Sequence, residues 1–252
     1  FKEKQKIVDY LEFSLKMPNL FTAEDVAGVM SLWSGIDYHR EINVGDLKII
    51  FYNAGHILGS SFISIKNKEG KKIIFSGDLG NNPAPLLGDK DFLPETDYCV
   101  IESTYGNRTH EDLSKRKEML EDIVEDTVKR GGVLMIPAFA MERTQELLFE
   151  LNQLTEQGRV PKVPIFVDSP LAIKLIGVYK KYQNYLTAPM MFNNLPGLKM
   201  TLTTEESKAI NDAPSPKIII AGSGMSHGGR ILHHERRYLP DSHSAIVFVG
   251  YQ

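Results

Sequence analysis

His56, Asp78 and Glu102 stand at the exits of short apolar runs, where polar side chains can converge on one cleft. His56 lies in Asn53-Ala54-Gly55-His56-Ile57-Leu58-Gly59-Ser60-Ser61, directly after Lys48-Ile49-Ile50-Phe51-Tyr52. Asp78 lies in Phe75-Ser76-Gly77-Asp78-Leu79-Gly80, directly after Lys72-Ile73-Ile74-Phe75. A neutral imidazole and a carboxylate are donors that zinc accepts, and the flanking glycines let the backbone approach a neighbouring group. Glu102 follows Tyr98-Cys99-Val100-Ile101, and a carboxylate there could hold a ligand or a catalytic histidine in one orientation. Each residue also has an ordinary use: a turn histidine facing solvent, an aspartate closing its own turn, a surface or helix-capping glutamate. Two ligands do not complete a site, since catalytic zinc takes about three protein ligands and structural zinc about four.

A second constellation is Gly222-Ser223-Gly224-Met225-Ser226-His227-Gly228-Gly229-Arg230, which joins Ile218-Ile219-Ile220 to a helix. A strand, glycine loop and helix in that order can present backbone N–H groups to phosphate, making Ser223, Gly224 and Ser226 candidate substrate contacts. The loop has neither the Gly-Lys-Ser or Gly-Lys-Thr of nucleotide hydrolases nor the dinucleotide glycine spacing, and a plain tight turn explains it equally well. Arg143 falls in the first turn of a helix after Pro137-Ala138-Phe139-Ala140, where a cation is disfavoured unless it meets an anionic ligand or a buried partner. Glu146, three residues on, is the plain partner. His233 and His234 are adjacent on a helix, about 100° apart, cannot both face one metal, and read as structural. Lys115-Arg116-Lys117, Lys180-Lys181 and Arg236-Arg237 read as solvated helix faces.

The pattern predicts helices over 3–16 and 22–33, the second opened by Thr22 with Glu24 and Asp25 in its first turn. From about Asp46 to Ser103 it predicts short buried strands and turns, with Asn67-Lys68-Glu69-Gly70 as a hairpin loop. An alternation follows: helix 112–130, strand 133–139, helix 141–156, strand 164–168, helix 170–182, a less regular stretch, strand 217–222, helix 229–238 and strand 245–250. Strands apolar on both faces, separated by helices, imply a parallel sheet covered on both sides, so the fold class is α/β. The composition changes near 105–112, which sets the expected domain boundary.

With 252 residues, 42% of them apolar and 24% charged, the chain has the composition of a globular protein, and no apolar run approaches the roughly 20 residues that cross a bilayer. The single cysteine, Cys99, excludes an intrachain disulfide and a cysteine-based zinc cluster, and fits a reducing, cytoplasmic setting. A formal charge of −3 does not advertise a nucleic-acid binder, although a local basic channel is compatible with it. Homo-oligomerisation is left open. The chain begins at Phe1 and ends on the strand-like Ala245-Ile246-Val247-Phe248-Val249-Gly250-Tyr251-Gln252, so it is expected to be a piece of a longer protein.

Ala54-Gly55-His56-Ile57-Leu58-Gly59-Ser60, Phe75-Ser76-Gly77-Asp78-Leu79-Gly80 and Glu102-Ser103-Thr104-Tyr105-Gly106, in this order, closely resemble the β-CASP branch of the metallo-β-lactamase superfamily. Pro137-Ala138-Phe139-Ala140 with Arg143-Thr144-Gln145-Glu146, and the glycine loop with Gly228-Gly229-Arg230-Ile231-Leu232-His233-His234, extend the resemblance across nearly the whole chain. The resemblance implies a partial αββα metallo-β-lactamase domain over 1–108 and an inserted α/β β-CASP domain over 109–252, incomplete at its C-terminal end, with substrate in the cleft between them. It implies an RNA-processing nuclease, with His56 a zinc ligand, Asp78 bridging two zinc ions and Glu102 the acidic residue of the first β-CASP motif. Two Zn2+ in the intact protein and single-stranded RNA as substrate follow from the same resemblance.

The family's upstream His-x-His-x-Asp-His motif and its downstream histidine motifs are absent from these residues. The isolated segment is therefore expected to hold an incomplete site, to bind zinc weakly or not at all, and to leave RNA uncut. Two other readings share the chemistry: a non-catalytic RNA-binding or partner scaffold of the same family, and a metallo-β-lactamase-fold hydrolase of small esters or thioesters. The long α/β insertion argues against the latter.

Overall fold

The computed structural model describes residues 21–81, 84–109, 115–188 and 195–250. The chain divides into two compact units, 1–40 and 41–252. In the first, helix α1 (Ala23–Ser31) opens on a capping box: Thr22 Oγ1 accepts from the Asp25 N–H, and the Asp25 carboxylate accepts from the Thr22 N–H. The helix expected over 3–16 lies outside the described residues.

The second unit holds two five-stranded sheets. Strands β1 (Glu41–Val44), β2 (Leu47–Asn53), β3 (Ser61–Lys66), β4 (Lys72–Phe75) and β5 (Tyr98–Val100) pair in sequence order, antiparallel except for the parallel β4–β5 pair. The hairpin between β3 and β4 turns through Asn67–Gly70, where Asn67 Oδ1 accepts from the Glu69 and Lys71 amides. These strands are not buried as the sequence suggested: Phe75, Tyr98 and Val100 are exposed, as is Cys99, while Ala54, Phe62 and Ile74 form a small core with Tyr52 and Leu79. Side chains alternate across a strand, which puts Ile74 inside and Phe75 outside on β4, whereas the edge strand β5 is open on both faces.

Strands β6 (Val133–Pro137), β7 (Ile165–Asp168), β8 (Leu198–Met200), β9 (Lys217–Ala221) and β10 (Ala245–Ile246) form an all-parallel sheet in the order β10-β6-β9-β7-β8. Every residue of β6, β7 and β9 is buried. Leu134, Ile136, Val167 and Ile220 face the larger core with α2 (Arg116–Lys129), α3 (Arg143–Glu156) and α4 (Pro170–Lys181). Met135, Phe166 and Ile219 face Ile210 and the Ile231 side chain of α6 (Ile231–Tyr238). This is the two-sided α/β layer predicted from the sequence. The stretch read as less regular carries the edge strand β8 and the short helix α5 (Thr204–Ala209), and the last strand is shorter than expected, although the Val247 amide still donates to Met135 O.

Among the described residues the two sheets meet around Leu58, Leu86 and Leu87. Leu58, from the loop after β2, and Leu86 both pack into the larger core. Leu87 bridges to Leu186, and the Thr187 amide donates to Leu86 O at 2.8 Å. Among the described residues no helix is long and apolar enough to cross a membrane.

Candidate active site

The loop after β2 is folded by its own polar groups. Asn53 Oδ1 accepts from the Gly55 amide, and Ser60 Oγ accepts from the amides of both His56 and Ile57 at 3.0 and 3.1 Å. The loop after β4 locks onto it through the main chain: the Gly80 amide donates to Ala54 O at 2.9 Å, and Lys90 Nζ donates to Gly80 O. A Cβ on Gly80 would fall 1.8 Å from Gly55 O, so only glycine permits this approach.

The approach brings His56 Nε2 to 3.9 Å from Asp78 Oδ2, with both side chains open to solvent. Glu102 enters from the end of β5. Its Oε1 accepts from the amide of Leu79, next to Asp78, and its Oε2 accepts from the Thr104 amide. The Leu79 amide is the main influence holding the Glu102 carboxyl below the usual carboxylate range; partial burial opposes it, and the Thr104 amide and nearby His56 add to it. Ser76 Oγ completes the arrangement, accepting from the Glu102 amide and donating to Gly77 O. His56, Asp78 and Glu102 are thus brought together at one end of the first sheet, with Glu102 bonded to the backbone beside Asp78.

Donors on one tetrahedral zinc stand roughly 3.4 Å apart, so an imidazole and a carboxylate at 3.9 Å fit two positions of such a ligand set. Among the described residues no group of three or more histidine, cysteine, aspartate or glutamate side chains could hold a metal ion. Among the described residues, His56 and Asp78 thus offer two donors at metal-ligand spacing and no third.

The other sequence-predicted contacts follow the C-terminal ends of β6 and β9, the edge where parallel α/β sheets place ligands. Arg143 Nη1 meets Glu146 Oε2 at 2.6 Å, the i, i+3 pairing that was its plain explanation. In the glycine loop the amides of Ser223, Ser226 and Ile231 donate to Gly228 O, Ser223 O and Gly222 O, and the Ser226 hydroxyl donates to Glu235 Oε1. Gly224 packs so closely on Phe139 that a Cβ would lie 2.8 Å from its backbone nitrogen. These bonds use within the loop several of the groups that the sequence offered to phosphate.

Sequence reasoning missed the cluster around Asp168. This carboxylate, fully buried at the end of β7, accepts from Thr201 Oγ1 and Arg230 Nη1 on one oxygen and from Ser207 Oγ and His234 Nε2 on the other, at 2.6–2.8 Å. Burial alone would raise its pKa, but the four donors hold it well below the usual carboxylate range. Arg230 and His234 stand four apart around the start of α6, a spacing that puts both on one side and was the available signal.

Residues 144–252 match the family model for the Beta-Casp domain. The chain is 38% identical to "Ribonuclease TTHA0252" of Thermus thermophilus over 96% of its own length and 58% of that protein. It is 33% identical to the "RNase J-like protein" of Methanocaldococcus jannaschii, over 95% of this chain and 57% of that one. With "Endoribonuclease YSH1" of Eremothecium gossypii the identity is 30%, over 92% of this chain and 31% of that one. The chain thus spans little more than half the length of the first two curated relatives. The Beta-Casp match over residues 144–252, the sheet architecture and these likenesses make the chain similar to the β-CASP branch of the metallo-β-lactamase superfamily.

Proposed function

We propose that this chain is the cleft-forming part of a zinc-dependent RNA-processing nuclease, which hydrolyses phosphodiester bonds of single-stranded RNA with two Zn2+ held by the intact protein. The observation that carries it is the convergence of His56 and Asp78, fixed by the main-chain contact between their loops and flanked by Glu102. The relatives named as ribonucleases support the same reading. His56 through its imidazole and Asp78 through its carboxylate would hold the metal. Glu102 acts from beside them by fixing the Asp78 loop through the Leu79 amide. When bound, the metal ions supply Lewis acidity toward the phosphoryl oxygens and an activated water. Arg143 at the start of α3 and Ser223 beyond the end of β9 face the RNA backbone, and Gly224 and Ser226 shape the loop that presents Ser223. The proposed boundary between the metallo-β-lactamase and β-CASP parts lies at about residue 108, ahead of α2.

In the full-length protein, zinc content by mass spectrometry and cleavage of labelled RNA test the proposal. Zinc-dependent cleavage is expected, with Asp78→Ala lowering it about 10³-fold or more, equivalent to roughly 4 kcal/mol. Near-normal cleavage by Asp78→Ala would exclude a metal-holding role. Residues 1–252 alone are expected to hold no tightly bound zinc and to leave the RNA intact; stoichiometric zinc in them would overturn that part.

A further inference from the structure

The loop that carries His56 reaches, through the Leu58 side chain, the core that contains Tyr179, beside the buried Glu142 that precedes α3. Glu142 is the centre of a γ-turn of the positive-φ form: at φ 65° and ψ −63°, the Arg143 amide donates to Met141 O at 2.9 Å. This conformation costs a residue with a β-carbon about 1–3 kcal/mol, and glycine would adopt it with less strain. Glutamate stands there instead, 5% exposed. Its Oε2 accepts from the Tyr179 hydroxyl of α4 at 2.5 Å, while its Oε1 is buried with no hydrogen-bond partner. The Leu58 amide is close enough to favour the charged form of both side chains. Leu58, two residues beyond His56, packs its own side chain into the larger core. Backbone strain, a desolvated carboxyl and an unsatisfied oxygen thus coincide where the His56 loop meets α3 and α4, and none of them is explained by helix packing alone.

We propose that Glu142 and Tyr179 are positioning residues: together they hold the 55–60 loop from beneath and so aim the His56 imidazole at Asp78. The catalytic consequence rests on His56 being a metal ligand, but the positioning itself does not.

The test is hydrogen exchange at the amides of residues 55–60 in the full-length protein, with zinc affinity by chelator competition and steady-state RNA cleavage alongside. Glu142→Gly, which keeps the turn and relieves its strain, is expected to raise exchange in that loop about 10-fold or more while leaving global stability unchanged or higher. The same variant should weaken zinc binding about 10-fold or more and lower kcat with little change in KM. Glu142→Gln, which retains an acceptor for the Tyr179 hydroxyl, should keep loop protection and zinc near wild type, and Tyr179→Phe should fall between the two. Unchanged loop exchange in both Glu142→Gly and Tyr179→Phe would overturn the proposal. If the wild-type protein neither binds zinc nor cleaves RNA, the nuclease reading fails, while the exchange data still decide whether these residues position the loop.

Discussion

Asp78 lies in the loop three residues beyond β4 and Asp168 is the last residue of β7, yet their surroundings are opposite. Asp78 is open to solvent and has His56 at 3.9 Å, a spacing too long for a hydrogen bond. Asp168 is fully buried, and its two oxygens receive four hydrogen bonds. A buried ionised carboxylate survives only when such donors replace water, and one so completely satisfied has little capacity left for a ligand. The comparison separates the two jobs that one residue type performs here. Asp168 ties β7, α6 and the segment after β8 together, whereas Asp78 keeps its oxygens available.

The contrast is broken most directly by Asp168→Ala, which strands Arg230 and the buried His234. A loss of about 3–5 kcal/mol in urea unfolding is expected. Asp78→Ala should stay within about 0.5 kcal/mol of wild type in the same assay, despite its effect on cleavage. Equal stability losses from the two would erase the distinction.

Glu142 sharpens it, as a buried carboxyl with too few donors. Burial pushes its pKa up to about 7; the Tyr179 hydroxyl opposes this, Glu146 reinforces it, and the Leu58 amide and Arg143 oppose it. The folded state therefore binds the proton more tightly than the unfolded chain, whose value is 4.5, so this group's contribution to stability is present below pH 4.5 and is lost as pH rises through 7. Between pH 4.5 and 8, Glu142→Gln should gain about 3 kcal/mol relative to wild type. Parallel urea-unfolding profiles of the two proteins over that range would contradict the shift.

A smaller effect than that of Asp168 or Glu142 belongs to Ser226→Ala, which removes the 2.6 Å bond to Glu235 and should cost about 1–2 kcal/mol. Filter binding with single-stranded RNA distinguishes a loop-shaping hydroxyl from a substrate contact. Affinity within about twofold is expected; a tenfold loss with stability intact would restore Ser226 as a phosphate contact.

The α/β alternation was legible because β6, β7 and β9 are apolar on both faces, a pattern that only a doubly covered sheet produces. The short edge strand Leu198–Met200 and the helix Thr204–Ala209 were not, since three and six residues carry too little periodicity to register. The first sheet was misread in burial, since runs such as Ile73-Ile74-Phe75 are apolar without alternation, yet place Ile74 inside and Phe75 outside. His56, Asp78 and Glu102 could be read from their loops because each sits in a local motif. Asp168 was not: its partners at 201, 207, 230 and 234 are assembled by topology, and the i, i+4 spacing of Arg230 and His234 names two of them without pointing to the carboxylate. The strain at Glu142 was hidden for a related reason, because a glutamate at the start of a helix looks favourable until its backbone is seen.

The contact of Gly80 with the carbonyl of Gly55 has a consequence for how this site can change over time. The approach of the His56 and Asp78 loops is written into the main chain, with glycine as its spacer, and neighbouring side chains orient the two donors upon it. Substitutions around the cleft can therefore alter which substrate enters while the gauge between the two loops stays constant. Any β-carbon at Gly80 would change the gauge itself. That one position tolerates no side chain, whatever else around the cleft is exchanged.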